Sequence, residues 1–199
     1  MADLDEGELI EKLRAGEERA FVELVDRYHA SMVRVASSFV PSRAVAEEVV
    51  QDTWMGVLKG IDRFEGRSSL KTWIFRILVN RARTTGAREP RAVELDTGDG
   101  LSSDRFTPGG TWREPPAVWS DDIEDRLAAP EIAASIRTMV EQLPDSQRQV
   151  VTLRDIEGLS SSEVCGMLGI TEGNQRVLLH RARTRIRATL ENDLRKQEK

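Results

Sequence analysis

Apolar residues recur at helical spacing along most of this chain, and no run alternates convincingly as a half-buried strand would. Asp5 is placed to cap a short helix carrying Leu9, Ile10 and Leu13, which Gly16 stops. A longer helix follows, with Phe21, Leu24, Val25, Tyr28, Met32, Val35, Ala36 and Phe39 on one stripe before Pro41. Ser42 caps a third helix to about Ile61, with Ala46, Val49, Val50, Trp54, Val57, Leu58 and Ile61 predicted inside. Its other side carries Glu47, Glu48, Gln51 and Asp52, with Met55 exposed among them. After a loop through residues 62–69, Ser68 or Ser69 caps a fourth helix holding Leu70, Trp73, Ile74, Ile77 and Leu78. Lys71, Arg76, Asn80, Arg81 and Arg83 fall on its outer face.

From about Glu89 to Ala129 the period breaks. Four glycines and four prolines (Gly98, Gly100, Gly109, Gly110, Pro90, Pro108, Pro115, Pro116) make this a flexible acidic linker, too long for a loop inside one domain. Trp112 and Trp119 are unusual in so polar a run and predict something that covers them. Pro130 then opens a helix with Ile132, Ile136, Met139, Val140 and Leu143. Pro144 ends it, Asp145 caps the next, and Val150, Val151, Leu153 and Ile156 run to a stop at Gly158. The pattern predicts an all-α chain of two small helical domains, residues 1–88 and 130–199, joined by the linker 89–129. The tail after Asn192 is expected to fray.

The stretch from Leu159 to Arg187 is the most pointed. Ser160 and Glu163 form a capping box, Val164, Met167 and Leu168 make a small apolar face, and Gly169 ends the helix. Ile170 plugs the turn and Thr171 caps a second helix bearing Arg176, Arg181, Arg183, Arg185 and Arg187. Helix, tight glycine turn and basic helix is the arrangement that sets a second helix into a DNA major groove. On spacing alone a solvated helical hairpin stays open as the alternative.

Charge sharpens this picture. The net charge of −5 argues against a freestanding duplex binder, because affinity for DNA comes mostly from neutralised phosphates. Distribution matters more than the sum: between Arg67 and Arg91 seven Lys or Arg face one Glu, and the last long helix is the second basic block. Two basic patches on an acidic chain suit a protein that touches nucleic acid twice and something else besides. One cysteine, Cys165, excludes an internal disulfide and a Cys-based zinc site. His29 and His180 lie in separate segments with no nucleophile placed beside either, so no catalytic residue, metal or cofactor is expected. No apolar run reaches membrane-spanning length and the start is acidic, so a cytoplasmic protein is expected.

Two stretches, AEEVVQDTWMGVLKGIDRFEGRSSLKTWIFRILVNRAR (Ala46 to Arg83) and LPDSQRQVVTLRDIEGLSSSEVCGMLGIT…HRARTRIR (Leu143 to Arg187), resemble the extracytoplasmic-function (ECF) sigma factors of the sigma-70 family. The first is similar to that family's core-binding and −10-recognition segment, the second to its −35-recognition segment. The resemblance implies a bacterial initiation factor, not itself an enzyme, that binds core RNA polymerase and directs it to promoters. Polymerase contact through the largest-subunit clamp helices falls on Glu48, Gln51, Asp52 and Met55, and the beta flap is a further expected surface. Melted −10 DNA falls on Phe64, Glu65, Arg67, Ser69, Lys71, Arg76, Asn80, Arg81 and Arg83, with Trp73 favoured as core over DNA wedge. Duplex −35 DNA falls on Thr171, Asn174, Gln175, Arg176, Leu178, Arg181 and Arg183. The run Asn174-Gln175-Arg176-Val177-Leu178-Leu179 departs from the usual pattern: Asn174 and Gln175 carry adenine-reading amides, while positions 175, 179, 182 and 186 share one face, which leaves a partly buried Gln175 as the alternative. An anti-sigma factor is a candidate further partner. An ordinary two-domain regulator that binds duplex DNA without polymerase is the competing reading.

Overall fold

The computed structural model of the protein describes residues 5–88 and 130–197, with side chains described for 5–87 and 135–190. The linker reading, including Trp112 and Trp119, lies outside the described residues. Among the described residues every regular element is helical: α1 (Glu6–Arg14), α2 (Glu18–Ser37), α3 (Arg43–Gly60), α4 (Leu70–Arg88), α5 (Pro130–Glu141), α6 (Asp145–Val151), α7 (Ser161–Leu168) and α8 (Glu172–Gln197). A 3₁₀ turn, Ile61–Arg63, follows α3, and a π turn, Thr152–Ile156, follows α6. The all-α expectation holds.

These elements form two compact units. The first joins α1–α4 to the π turn and α7; the second holds α5, α6 and α8. In the first unit α2, α3 and α4 pack against one another around Leu24, Met32, Val35, Val50, Ile74, Phe75 and Leu78, all fully buried. Two edge-on aromatic pairs stitch it, Phe21 with Trp54 at 5.8 Å and Tyr28 with Phe75 at 6.3 Å between ring centroids. Each such pair adds about 0.5–1.5 kcal/mol beyond the area it buries. Leu153, Leu159, Val164 and Met167 belong to the same apolar cluster. In the second unit α5 and α6 pack on α8, whose Gln175, Leu179, Ala182 and Leu190 are buried.

Local signals explain most helix ends. The Ser42 hydroxyl accepts from the Val45 N–H at 3.3 Å, and the Ser160–Glu163 capping box is complete. Gly169 closes α7 in the left-handed conformation, φ 68°, that a side chain would strain. Asp5 precedes α1 but makes no side-chain cap bond, and Asp145 lies in the first turn of α6 rather than ahead of it. Helix α8 runs on to Gln197, past the Asn192 where fraying was expected.

Two further expectations are corrected. Leu58 is 43% exposed, beside Met55 at 53%, so the two form an apolar spot on the outside of α3. The helix expected to run from 145 to Gly158 instead widens after Val151, and the Glu157 N–H reaches back five residues to the Thr152 carbonyl at 2.9 Å. The wider turn shifts the phase of the chain: Ile156 faces out at 40% exposure while Glu157 is buried.

Gly86 marks the tightest backbone crossing, because a Cβ there would lie 2.4 Å from the Phe39 carbonyl oxygen. Gly86→Ala should therefore destabilise the protein by about 1–3 kcal/mol, as overpacking does, although alanine is the better helix former. Urea denaturation checks this; an unchanged or raised midpoint contradicts the crossing.

Candidate nucleic-acid interface

The loop between the 3₁₀ turn and α4 builds a recess of about 330 Å³ lined by Arg63, Phe64, Glu65, Arg67, Ser68, Trp73 and Arg76. The Phe64 and Trp73 rings lie 5.1 Å apart at 45° and form its apolar wall. Phe64 is buried and Trp73 half-buried, so Trp73 is at once packed, against Gly60, and part of the recess. The loop is held from behind, where the Arg14 guanidinium donates to the Phe64 carbonyl at 2.5 Å. Gly66 adopts φ 71°, which lets the chain turn sharply at the rim, and Arg67 pairs with Glu65 there at 2.7 Å.

Helix α4 starts at this rim. The Ser69 hydroxyl accepts from the Thr72 N–H at 3.1 Å and so caps the helix, while Glu6 of α1 accepts from the Leu70 N–H at 3.0 Å. Beyond the cap, Arg76, Asn80 and Arg83 are exposed and Lys71 and Arg81 half-buried. Arg81 reaches Asp52 of α3 at 3.8 Å. Lys71 donates to the Glu157 carbonyl at 2.6 Å and Arg83 to the Met167 carbonyl at 3.2 Å. The Thr72 hydroxyl donates to the Glu163 carboxylate at 2.5 Å. These last contacts all run to residues of the first unit that follow α6.

On α3, Glu48, Gln51, Asp52 and Met55 are all exposed. The strip joins carboxylates and an amide to the apolar spot of Met55 and Leu58, a mixed surface suited to a protein partner with a basic face and an apolar seam.

In the second unit the Thr171 hydroxyl accepts from the Asn174 N–H at 3.2 Å and caps α8. Asn174, Arg176 and Arg183 are exposed, and Leu178 and Arg181 half-buried. Arg176 meets Glu172 one turn back at 3.6 Å, an exposed pair of small energetic weight. Gln175 is only 2% exposed, so its amide is held inside the protein and presents no edge to a base. That corrects its place among the groove-reading residues.

Residues 24–89 match the family model Sigma-70 region 2, and residues 133–186 match Sigma-70, region 4. The chain is 30% identical over 178 residues to the ECF RNA polymerase sigma-E factors of Salmonella typhimurium and Escherichia coli, covering 89% of this chain and 90% of each relative. The chain belongs to the ECF sigma factors of the sigma-70 family. It is also 28% identical to the RNA polymerase sigma-H factor of Pseudomonas aeruginosa, over 94% of this chain and 95% of that one. Two solved structures share the fold at a TM-score of 0.58. One is CnrH in complex with the cytosolic domain of CnrY, at 24% identity over 94% of this chain and 98% of that one. The other is the sigma factor RpoE with the anti-sigma factor NepR from Bartonella quintana, at 23% identity over 86% and 96%.

This sigma factor is thus a transcription initiation factor that directs RNA polymerase to promoters. No helix among its described residues is long and apolar enough to cross a membrane, and no group of His, Cys, Asp and Glu there is arranged to hold a metal. Sequence spacing missed Arg63 as lining of the recess, and Thr72, Glu157 and Glu163 as partners across α4; Trp73, favoured as core, both packs and lines the recess. A Glu before a helix-stopping glycine reads as solvated, and nothing local marks Glu157 as buried.

Hydrogen bonds from Ser160, and next from Thr72, hold the Glu163 carboxyl below its ordinary pKa of 4.5. A depressed carboxyl contributes stability above its unfolded pKa and loses it as pH falls through the folded one. The sigma factor's thermal midpoint should therefore drop as pH is lowered below about 4.5. Glu163→Gln, which keeps the capping geometry, should flatten that part of the profile. Parallel profiles for the two proteins contradict the assignment.

Proposed function

We propose that three surfaces divide the work of this sigma factor. Residues 1–88 act as the core-binding and −10-reading module, 130–199 as the −35-reading module, and 89–129 as the connection between them. The strip of Glu48, Gln51, Asp52 and Met55, with Leu58 beside it, takes the clamp helices of the polymerase's largest subunit. Its exposure and its mixture of acid, amide and thioether support this. The C-terminal module meets the beta flap.

The observation that carries the reading is the recess walled by Phe64 and Trp73 at the head of a cationic helix. Melting DNA is cheap only if something repays the lost stacking. An aromatic wall with a charged rim suits a base turned out of the duplex. Arg67, Lys71, Arg76, Arg81 and Arg83 then follow the phosphates of the melted strand, while Glu65, Ser69 and Asn80 offer polar groups along its path. At the −35 element Asn174, Arg176 and Arg183 face the groove, with Leu178 and Arg181 at its edge and Thr171 fixing the start of the helix.

The factor confers specificity and leaves chemistry to the polymerase, and it works in the cytoplasm, where core polymerase and promoter DNA are. An anti-sigma protein is the regulatory partner its fold relatives suggest, since one of them was solved with such a factor. The acidic net charge favours polymerase-dependent promoter binding over the competing regulator.

Equilibrium binding to purified core, followed by promoter footprinting, tests the division of labour. Asp52→Ala with Met55→Ala should weaken core binding about tenfold or more, as loss of a central anchor does. Arg183→Ala should leave core binding unchanged and weaken promoter occupancy by about 1–3 kcal/mol. Core affinity untouched by the α3 changes removes the polymerase assignment.

A further inference from the structure

The two aromatic walls of the recess come from different segments. Phe64 ends the 3₁₀ turn, and Trp73 lies in the first turn of α4. Between them the chain passes through residues 65–69, which form no regular element and turn at Gly66. The ion pair at the tip holds this loop weakly, because Glu65 and Arg67 are 65% and 84% exposed. Helix α1 holds its two ends instead. The Arg14 guanidinium donates to the Phe64 carbonyl at 2.5 Å, and the Glu6 carboxylate accepts from the Leu70 N–H at 3.0 Å. Leu70 is the first residue of α4, and its N–H is one of the donors a helix start leaves without an internal partner. The Ser69 hydroxyl meets the Thr72 N–H, so the local cap and Glu6 serve different amides.

Helix α1 is built to set a distance. Glu6 and Arg14 stand at its two ends, about 12 Å apart at a rise of 1.5 Å per residue. Leu9 and Leu13 are buried and dock the helix into the cluster that contains Ile61, Phe64 and Leu70. Glu8 pairs with Lys12 at 2.7 Å, and Glu11 with Arg14 at 2.8 Å, which aims the guanidinium. None of the residues assigned above to polymerase or DNA lies on α1. We propose that Glu6 and Arg14 are positioning residues for promoter reading. Through one backbone group each, they fix the gap between Phe64 and Trp73, and with it the fit of the recess to one −10 base. This rests on the −10 reading of the recess given above. A recess whose walls shift by about 1 Å keeps its cations but loses its selectivity.

Holoenzyme made from core polymerase and the full-length protein is offered a promoter mapped with the wild type, randomised in turn at each −10 and −35 position. Productive templates are then sequenced. Glu6→Ala and Arg14→Ala should each cut the base preference at one −10 position about tenfold, the size of one misread base pair. Preferences in the −35 element and affinity for core should stay at wild-type values. The two changes remove opposite charges, so a loss common to both marks positioning. Effects of opposite sign would mark long-range charge and overturn the proposal. Glu6→Gln gives up the charge but keeps an acceptor for the Leu70 N–H, and should retain the wild-type preference.

Hydrogen exchange on the free protein gives an independent arm. The amides of residues 65–70 should exchange faster in both alanine variants, while those of α3 keep their wild-type rates. Loop amides unmoved in both variants overturn the proposal, because α1 then does not hold the loop. An unchanged −10 preference in both variants does the same, even where their thermal midpoints fall, and so does a Glu6→Gln that behaves like Glu6→Ala. Phe64→Leu, which removes the aromatic wall and keeps an apolar side chain, separates the two levels. If it removes the −10 preference while the α1 variants do not, the positioning role alone fails. If it leaves every −10 preference intact, the −10 reading of the recess fails and takes the positioning role with it.

Discussion

Glu157 is the point on which the first unit turns. A carboxylate taken out of water costs several kcal/mol unless cations and hydrogen bonds meet it, and here Arg34 from α2 and Lys71 from α4 both do. The widened register of the π turn brings Glu157 inward and leaves Ile156 outside. The turn in turn sets the start of α7, whose capping box, apolar face and carbonyl end then fall against α4. One buried charge thereby ties a stretch late in the chain to helices formed early in it.

The same economy of charge governs function. On a chain with net charge −5, nucleic-acid affinity depends on a few cations gathered in two places. Helix α4 concentrates the first group beside an aromatic recess, and α8 carries the second. Each cation is also available to the protein's own acids, as Arg81 with Asp52, Arg176 with Glu172 and Lys71 with Glu157 illustrate. On the proposed reading of these cations, binding DNA is an exchange of partners rather than a filling of vacant sites. An exposed pair such as Arg176–Glu172 gives way at little cost, whereas the contacts around Glu157 are held by burial as well as by charge.

Much of this was legible in the sequence, for physical reasons that differ by element. Long stripes at helical spacing gave α2 and α4, and caps that act within a few residues gave the Ser42 start, the Ser160–Glu163 box and the Gly169 stop. The two motifs gave the family. What escaped was whatever depends on residues distant in the chain. The inward turn of Glu157 needs Arg34 and Lys71, which no local window contains. Leu58 reads as core by spacing, yet α3 is wide enough in its apolar stripe to leave one position outside. Gln175 was half legible: it shares a face with Leu179 and Ala182, while the family motif set it among the groove-reading residues, and packing prevailed.

The central claim is that this chain makes bacterial core polymerase choose promoters. Run-off transcription on a broad set of genomic fragments, with purified core in the presence and absence of the protein, addresses it directly. The account predicts discrete start sites that appear only when the protein is added, sharing two short upstream elements at a fixed separation. Transcripts identical with and without the protein, together with specific duplex binding by the protein alone, would contradict it.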